Sequence, residues 1–477
     1  MPVDLNKPLA WKAATGDAAA MLQQLQPNIV KAHVRDHLQV LLIQFADKAE
    51  GRAFVKAVGG KVKSAKKHLE EVEAMKTSGT PGTPYVGIGL TSAGYTKLGI
   101  ATNKIPGNAD PDAAPFIASM RSDTSVATLD DPPVKEWEAP YRHTIHAVVL
   151  IGDASKSAVA TKRTEIDALI TPKVKLLGEE AGLSQRNSRG DGIEHFGYID
   201  GRSNPLFLVE DIADEKHTRD GATVWNPAFG LGRVLVSDIA APDPKVDFGS
   251  FFVLRKLEQN VRKFDQAEKD LADALGLTGA DRKRAGATIV GRFRDGTPLT
   301  TQFAAGDHNP VPNDFNYESD DLAGKCPFHG HVRKTNPRGS GGFEKPPDER
   351  KHLMPRRGQT FGARTDDPSD EKVPIASRPT GGVGLLFMAF NSQIGVQFQF
   401  TQATWANNGG FPNTSGAPGA HAPGLDQVIG QGTRPKADCP LTWGSGKNKF
   451  VNAAPQAVTM KGGEYFFMPS IAFLKSL

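Results

Sequence analysis

The chain reads as an α+β protein, with helices laid on one face of a mostly antiparallel sheet. Three observations predict this. Apolar strand runs are each followed by a helix-prone stretch, four times along the chain; two of these units fall in each half; and a late apolar strand, residues 464–468 (EYFFM), closes the second half. Four such units fit an internal duplication and equally fit one doubly wound sheet. Periodicity alone does not choose between them.

The first strand is residues 38–45 (LQVLLIQF), apolar nearly throughout, as suits a strand covered on both faces. A helix is expected from Ala46 to about Val58, closed by Gly59 and Gly60. The second unit pairs strand 146–151 (HAVVLI) with a helix through Leu169, for which Asp153 is the expected N-cap. In the third, strand 251–254 (FFVL) leads into a helix over 257–275. There Val261, Phe264, Leu271 and Leu275 keep helical spacing and Gly276 ends the run. The fourth joins strand 384–390 (GLLFMAF) to a helix over about 393–405. Between about Asp295 and Gly382, Gly, Pro, Asn and Asp break up any periodicity, and a stretch of that kind in a compact chain is usually functional or mobile.

Composition narrows the function. The 477 residues hold 57 basic and 53 acidic side chains, a net +4, which gives no reason to expect a nucleic-acid binder. An apolar fraction of 39% with 23% charged residues is that of a folded chain and not a disordered one. Two cysteines, Cys326 and Cys439, exclude a disulfide framework and a four-cysteine zinc site. No C-x-x-C-H motif is present for covalent haem attachment, and no Walker A, G-x-S-x-G or H-E-x-x-H motif occurs. No apolar run reaches the roughly 18–20 residues of a membrane span. The N-terminal residues show no basic and apolar signal pattern, so the expected location is cytoplasmic, or extracellular after loss of a signal outside this numbering.

Three motifs carry candidate chemistry. In CPFHGHVRKTNPR, His331 sits near Arg333, Lys334 and Arg338. It reads either as a metal or haem-iron ligand, with cations nearby to receive an anionic group, or as a surface histidine in a basic loop. In HFGYIDGRSNP, Asp200 is either a turn carboxylate bonding its own backbone or an acid–base group at a pocket mouth. Arg356-Arg357-Gly358 is a solvated basic turn, or places one guanidinium where negative charge develops.

Taken together, these motifs resemble the dye-decolorizing peroxidase family. Five blocks occur in the family's order, from about residue 25 to the C-terminal end: GYIDG, CPFHGHVRKTNPR, MPRRGQTFG, GLLFMAFNSQIGVQFQFTQATWANN and GGEYFFMPSI. The length and long insertions are similar to the family's larger members. The resemblance implies two ferredoxin-like domains, a barrel-like duplication of antiparallel sheets enclosing a haem pocket. Here these would be residues 1–230, carrying the G-x-x-D-G motif, and 231–477, holding haem b (iron protoporphyrin IX). It implies His331 as the proximal iron ligand, Asp200 as the distal acid–base residue and Arg356 as the distal arginine, with Arg357 its adjacent rival.

The same resemblance makes Asp426 the candidate partner of the His331 ring. It sets Arg338 and His195 against the haem propionates, and Leu385 and Phe387, two apart on a strand, along the distal pocket. Trp405 becomes a candidate electron relay to bulky substrates at the surface. His329 departs from the family's usual small residue and competes with His331. The implied activity is reduction of hydrogen peroxide through a ferryl intermediate, with one-electron oxidation of dyes, phenolics or similar aromatic donors. A haem-binding or haem-iron-handling protein with little turnover is the alternative. No membrane or nucleic-acid partner is expected, and the chain would be a monomer or homodimer.

Overall fold

The computed structural model describes residues 2–342, 344–412 and 422–477. Eight strands carry the architecture: β1 (His37–Phe45), β2 (Tyr85–Leu90), β3 (Ala147–Asp153), β4 (Val174–Leu183), β5 (Phe248–Gln259), β6 (Gln359–Phe361), β7 (Gly384–Asn391) and β8 (Val458–Met468). All pair antiparallel, in the order β7-β6-β4-β1-β3-β2-β8-β5, and β5 pairs with β7 to close the ring. The short strand Val236–Ser237 adds to β5 outside the ring.

The ring contains the duplication. The first four strands lie in the order fourth-first-third-second, and the last four, β8-β5-β7-β6, repeat that order. Within each half the pairings run over six or more residues, except for the three-residue pairing of β6 with β7. Between halves they are short, with Gly182 opposite Phe361 at one seam and Leu90 opposite Phe467 at the other. The expected pair of ferredoxin-like units is therefore present, fused edge to edge into one barrel, a closure that leaves no long exposed strand edge.

The helices follow their sequence signals with small shifts. In α1 (Lys48–Gly59), the Asp47 carboxylate caps the amides of Ala49 and Glu50 at 2.8 and 3.1 Å. A further helix, α2 (Ala65–Ser78), follows it. In α3 (Lys156–Asp167) the N-cap is Ser155 and not Asp153, which ends β3 and accepts from the Ser155 amide. In α4 (Val261–Ala274), Asn260 caps the Lys263 amide and Leu257 belongs to β5, so the helix starts later than expected. α5 (Lys283–Val290) packs beside α4. Residues Gly395–Ala406 wind as a π-helix, with the Gln399 amide reaching back to the Ile394 carbonyl at 2.9 Å. No helix among the described residues is long and apolar enough to cross a membrane.

One buried ion pair ties the halves together. Arg255 on β5 holds Asp131 through two bonds, of 2.8 and 2.5 Å, with both side chains almost wholly buried. Burial outweighs the arginine and raises the Asp131 carboxyl, so the pair adds little net stability. Breaking it is another matter, because a lone guanidinium would remain buried. Asp131→Ala is expected to cost about 3–5 kcal/mol, read as a shift in the urea midpoint.

Candidate active site

A cavity of about 500 Å³ opens between the 194–204 loop, the inward faces of β5 and β7, and the short helix α6 (His331–Thr335). That volume lies within the roughly 300–1,000 Å³ usual for ligand and cofactor pockets. Both halves of the barrel line it.

His331 opens α6 and lines this cavity. Its Nδ1 lies 2.9 Å from Asp426 Oδ2, and Asp426 is fully buried. The other Asp426 oxygen accepts the amides of Val428 and Ile429, both at 2.8 Å. Burial works against a charged imidazole, but the carboxylate wins and holds the His331 pKa above its ordinary value. Nε2 has no protein partner among the described residues, so one ring nitrogen is fixed and the other is available to a ligand. His329 is buried away from the cavity, its Nε2 3.2 Å from the Asp438 carbonyl, and burial lowers its pKa to about 4. Of the two histidines, only His331 lines the cavity.

The cations expected to serve an anionic group from this segment face inward. Arg333 bonds Asp320 and the Cys326 carbonyl, and Lys334 donates to the carbonyls of Asn408, Phe411 and Gly424. Arg338, expected against the propionates, is not among the residues lining the cavity, and its guanidinium bonds Asn313, Phe315 and Ser203. His195 is fully buried, with Nε2 2.8 Å from the Phe361 carbonyl, and it too is not among the cavity's lining residues.

Asp200 is exposed at the cavity wall, and its Oδ1 accepts the Gly201 amide at 2.6 Å. The loop turns tightly because both flanking glycines are left-handed, Gly197 at φ 88° and Gly201 at φ 81°. A side chain at Gly197 would also strike the Pro368 carbonyl. The same loop walls a smaller cavity of about 350 Å³ on its other side.

Both arginines line the cavity, but their guanidinium groups bond differently. Arg357 donates to the carbonyls of Asn28, Ile29 and Arg356, at 2.9, 3.0 and 2.9 Å, which occupies its guanidinium in holding the N-terminal segment. Arg356 gives one bond, at 3.0 Å, to the Arg202 carbonyl. Burial lowers the Arg356 pKa, against the pull of the Asp200 charge. Leu385 and Phe387 both line the cavity from one face of β7, while Leu386 and Met388 between and beyond them point into the core. Trp405 does not reach the surface. It is fully buried, stacked on Phe411 and edge-on to His352, a cavity-lining residue, at 5.0 Å.

Sequence reasoning missed Arg255, Gln259 and Glu194, which all line the cavity. The first two share a face of β5 with Leu257, a period-2 signal hidden in RKLEQ. Glu194 accepts from the amides of Phe196 and Tyr198 and from Gln259. Burial raises its pKa from 4.5 to about 7. Between those values the folded chain keeps a proton that the unfolded chain has released, so stability falls as pH rises through that window. Glu194→Gln is expected to flatten this slope, measured as urea midpoints at a series of pH values.

A ring nitrogen free toward a large cavity, a carboxylate behind that ring, and an acid and an arginine on the same walls suit an iron porphyrin better than a bare metal. Among the described residues no cluster of three His, Cys, Asp or Glu side chains is placed to hold a metal ion. The fold and the site define a haem peroxidase of the α+β barrel type. The sequence profile of the DyP dimeric alpha+beta barrel domain matches residues 24–184. The chain is 57% identical to the multifunctional dye peroxidase DyP2 of Amycolatopsis sp. over the full length of both, and the structure of that protein superposes with a TM-score of 0.95. The DyP-type peroxidase of Anabaena sp. gives a TM-score of 0.90 at 34% identity, covering 99% of this chain and 98% of that one. The dye-decolorizing peroxidase msp1 of Mycetinis scorodonius is 29% identical over 82% of this chain and 76% of its own. This chain belongs to the dye-decolorizing peroxidase family, and it is a haem-dependent peroxidase.

Proposed function

We propose that the protein binds haem b through His331 and uses hydrogen peroxide to oxidise dyes, phenolics and similar aromatic donors, with Asp200 and Arg356 as the catalytic pair. The observation that carries this reading is the Asp426–His331 bond, which leaves Nε2 as the ligating atom in a cavity of suitable size. When bound, haem supplies the iron that accepts peroxide and the oxidising equivalents that donors then discharge one electron at a time.

The chain's own groups do the rest. Asp200 takes the proton from one peroxide oxygen and delivers it to the other, so that water leaves and not hydroxide. Arg356 holds the negative charge that develops as the two oxygens part. Leu385 and Phe387 present apolar surface and keep competing water off that wall. Asp426 keeps Nδ1 occupied and the imidazole electron-rich. Trp405, behind His352, fits an interior relay step and no direct contact with a donor. The polypeptide divides between the repeats, as residues 1–230 and 231–477.

The test is the visible spectrum of the haem-loaded protein before and after equimolar peroxide, with turnover of a dye. A haem spectrum that peroxide leaves unchanged would overturn the reading. Haem binding with spectral change but no dye turnover would favour a haem-handling protein. Asp426→Asn is expected to weaken haem affinity about 10–100-fold, followed by transfer of haem to a high-affinity acceptor protein.

A further inference from the structure

Tyr198 occupies a position the mechanism above does not use. Of the six tyrosines it is the one that lines the cavity, and no tryptophan among the described residues lines it. Its hydroxyl donates a hydrogen bond to Glu268 Oε1 on α4, a residue that does not line the cavity. Tyr85, Tyr95 and Tyr317 do not line the cavity, and the phenols of Tyr95 and Tyr317 have no hydrogen-bond partner among the described residues; Tyr465 accepts from Gln399, and Tyr141, bonded to Glu180, also lies off the cavity.

The surroundings are built around this bond. Arg294 lies over the Tyr198 ring at 5.3 Å and bonds Glu268 Oε2 at 2.6 Å and Asp265 at 3.2 Å. Asp265 is held in turn by Arg378 at 3.0 Å. Gly286 on α5 faces the bond directly, and a Cβ there would collide with both the phenol oxygen and the carboxylate. Glu268 keeps partial contact with solvent, its side chain 16% exposed.

Phenol oxidation in a protein interior needs a base at the hydroxyl, because a phenol that has lost an electron is a strong acid. Tyr198 has its ring on the cavity and its base already bonded. We propose that Tyr198 is a redox-active residue of this enzyme, with Glu268 as its proton acceptor. The proposal rests on the peroxidase reading. One electron leaves the Tyr198 ring for the peroxide-oxidised haem. The O–H bond breaks and its proton passes to Glu268 Oε1, giving a neutral phenoxyl radical and a carboxylic acid. An aromatic donor later returns one electron to the ring as Glu268 returns the proton, which restores both groups. Tyr198 thereby stores an oxidising equivalent beside the cavity when no donor occupies it.

The test mixes haem-loaded protein with one equivalent of peroxide and no donor, freezes it within milliseconds and records the electron paramagnetic resonance spectrum alongside the visible spectrum. A second arm adds a nitroso spin trap and locates the adduct by peptide mass spectrometry. The expected result is a tyrosyl signal in the natural protein, its loss in Tyr198→Phe, and an adduct on the peptide containing Tyr198. Glu268→Gln, which removes the base and leaves the phenol in place, and Gly286→Ala, which pushes the phenol and the carboxylate apart, are both expected to reduce the radical yield. A visible spectrum that responds to peroxide with no tyrosyl signal, or a signal that survives Tyr198→Phe, would overturn the proposal and leave the peroxidase reading intact. A visible spectrum that ignores peroxide would overturn both.

Discussion

His331→Ala is expected to yield a folded protein that retains no haem. His331 projects from the first turn of a five-residue helix and spends only Nδ1 within the protein. Its loss removes the proposed iron ligand and little packing, so the barrel is expected to survive with its far-ultraviolet dichroism unchanged. The absence of a Soret band after reconstitution checks the first half of this prediction. His329→Ala is the control. That ring lies against Asp438 and Cys439, off the cavity, and its removal should leave haem in place. Full haem in His331→Ala together with none in His329→Ala would reverse the assignment.

The second large effect concerns the peroxide step. Asp200→Asn keeps the shape of the side chain and its bond from the Gly201 amide, but the amide cannot accept the peroxide proton. The rate constant for the peroxide reaction is expected to fall about 10²–10⁴-fold, the usual contribution of a positioned acid–base group. Haem content should stay level with the natural protein. Stopped-flow traces at several peroxide concentrations give the rate constant directly. An unchanged value would mean that Arg356 alone suffices.

Much of this was legible in the chain itself, for definable reasons. Strands β1, β3, β5 and β7 are apolar runs covered on both faces, and such runs are visible without context. Their partners were not. β2 reads YVGIGL, and its glycines look like loop signals; they are there because Tyr85, Met468 and Phe466 crowd the space a Cβ would take at Gly87 and Gly89. β4 carries Glu179 and Glu180 in a half-buried pattern, and β6 has only three residues. With β8, whose end at residues 464–468 was also legible, those three strands complete both four-stranded sheets, so the ring could not be drawn from the visible five.

The site followed a similar rule. His331, Asp200, Arg356, Leu385 and Phe387 line the cavity and Asp426 bonds His331, and each lies in or near a block singled out in the sequence. Arg338 and His195 lie in such blocks too, yet bond to backbone carbonyls, and nothing local distinguishes a guanidinium serving a ligand from one serving the chain. The difference in bonding between Arg356 and Arg357 rests on carbonyls more than 300 residues away, at Asn28 and Ile29.

The two seams of the barrel have a mechanical consequence. Each half is stitched by long ladders, while the halves meet through a single aligned residue pair at each junction. Under tension or mild denaturant the molecule has two built-in tear lines, and it should part along them into two intact four-stranded sheets before either sheet unravels. The cavity has walls from both halves, so a molecule that begins to part along these lines gives up its prosthetic group before it gives up its secondary structure.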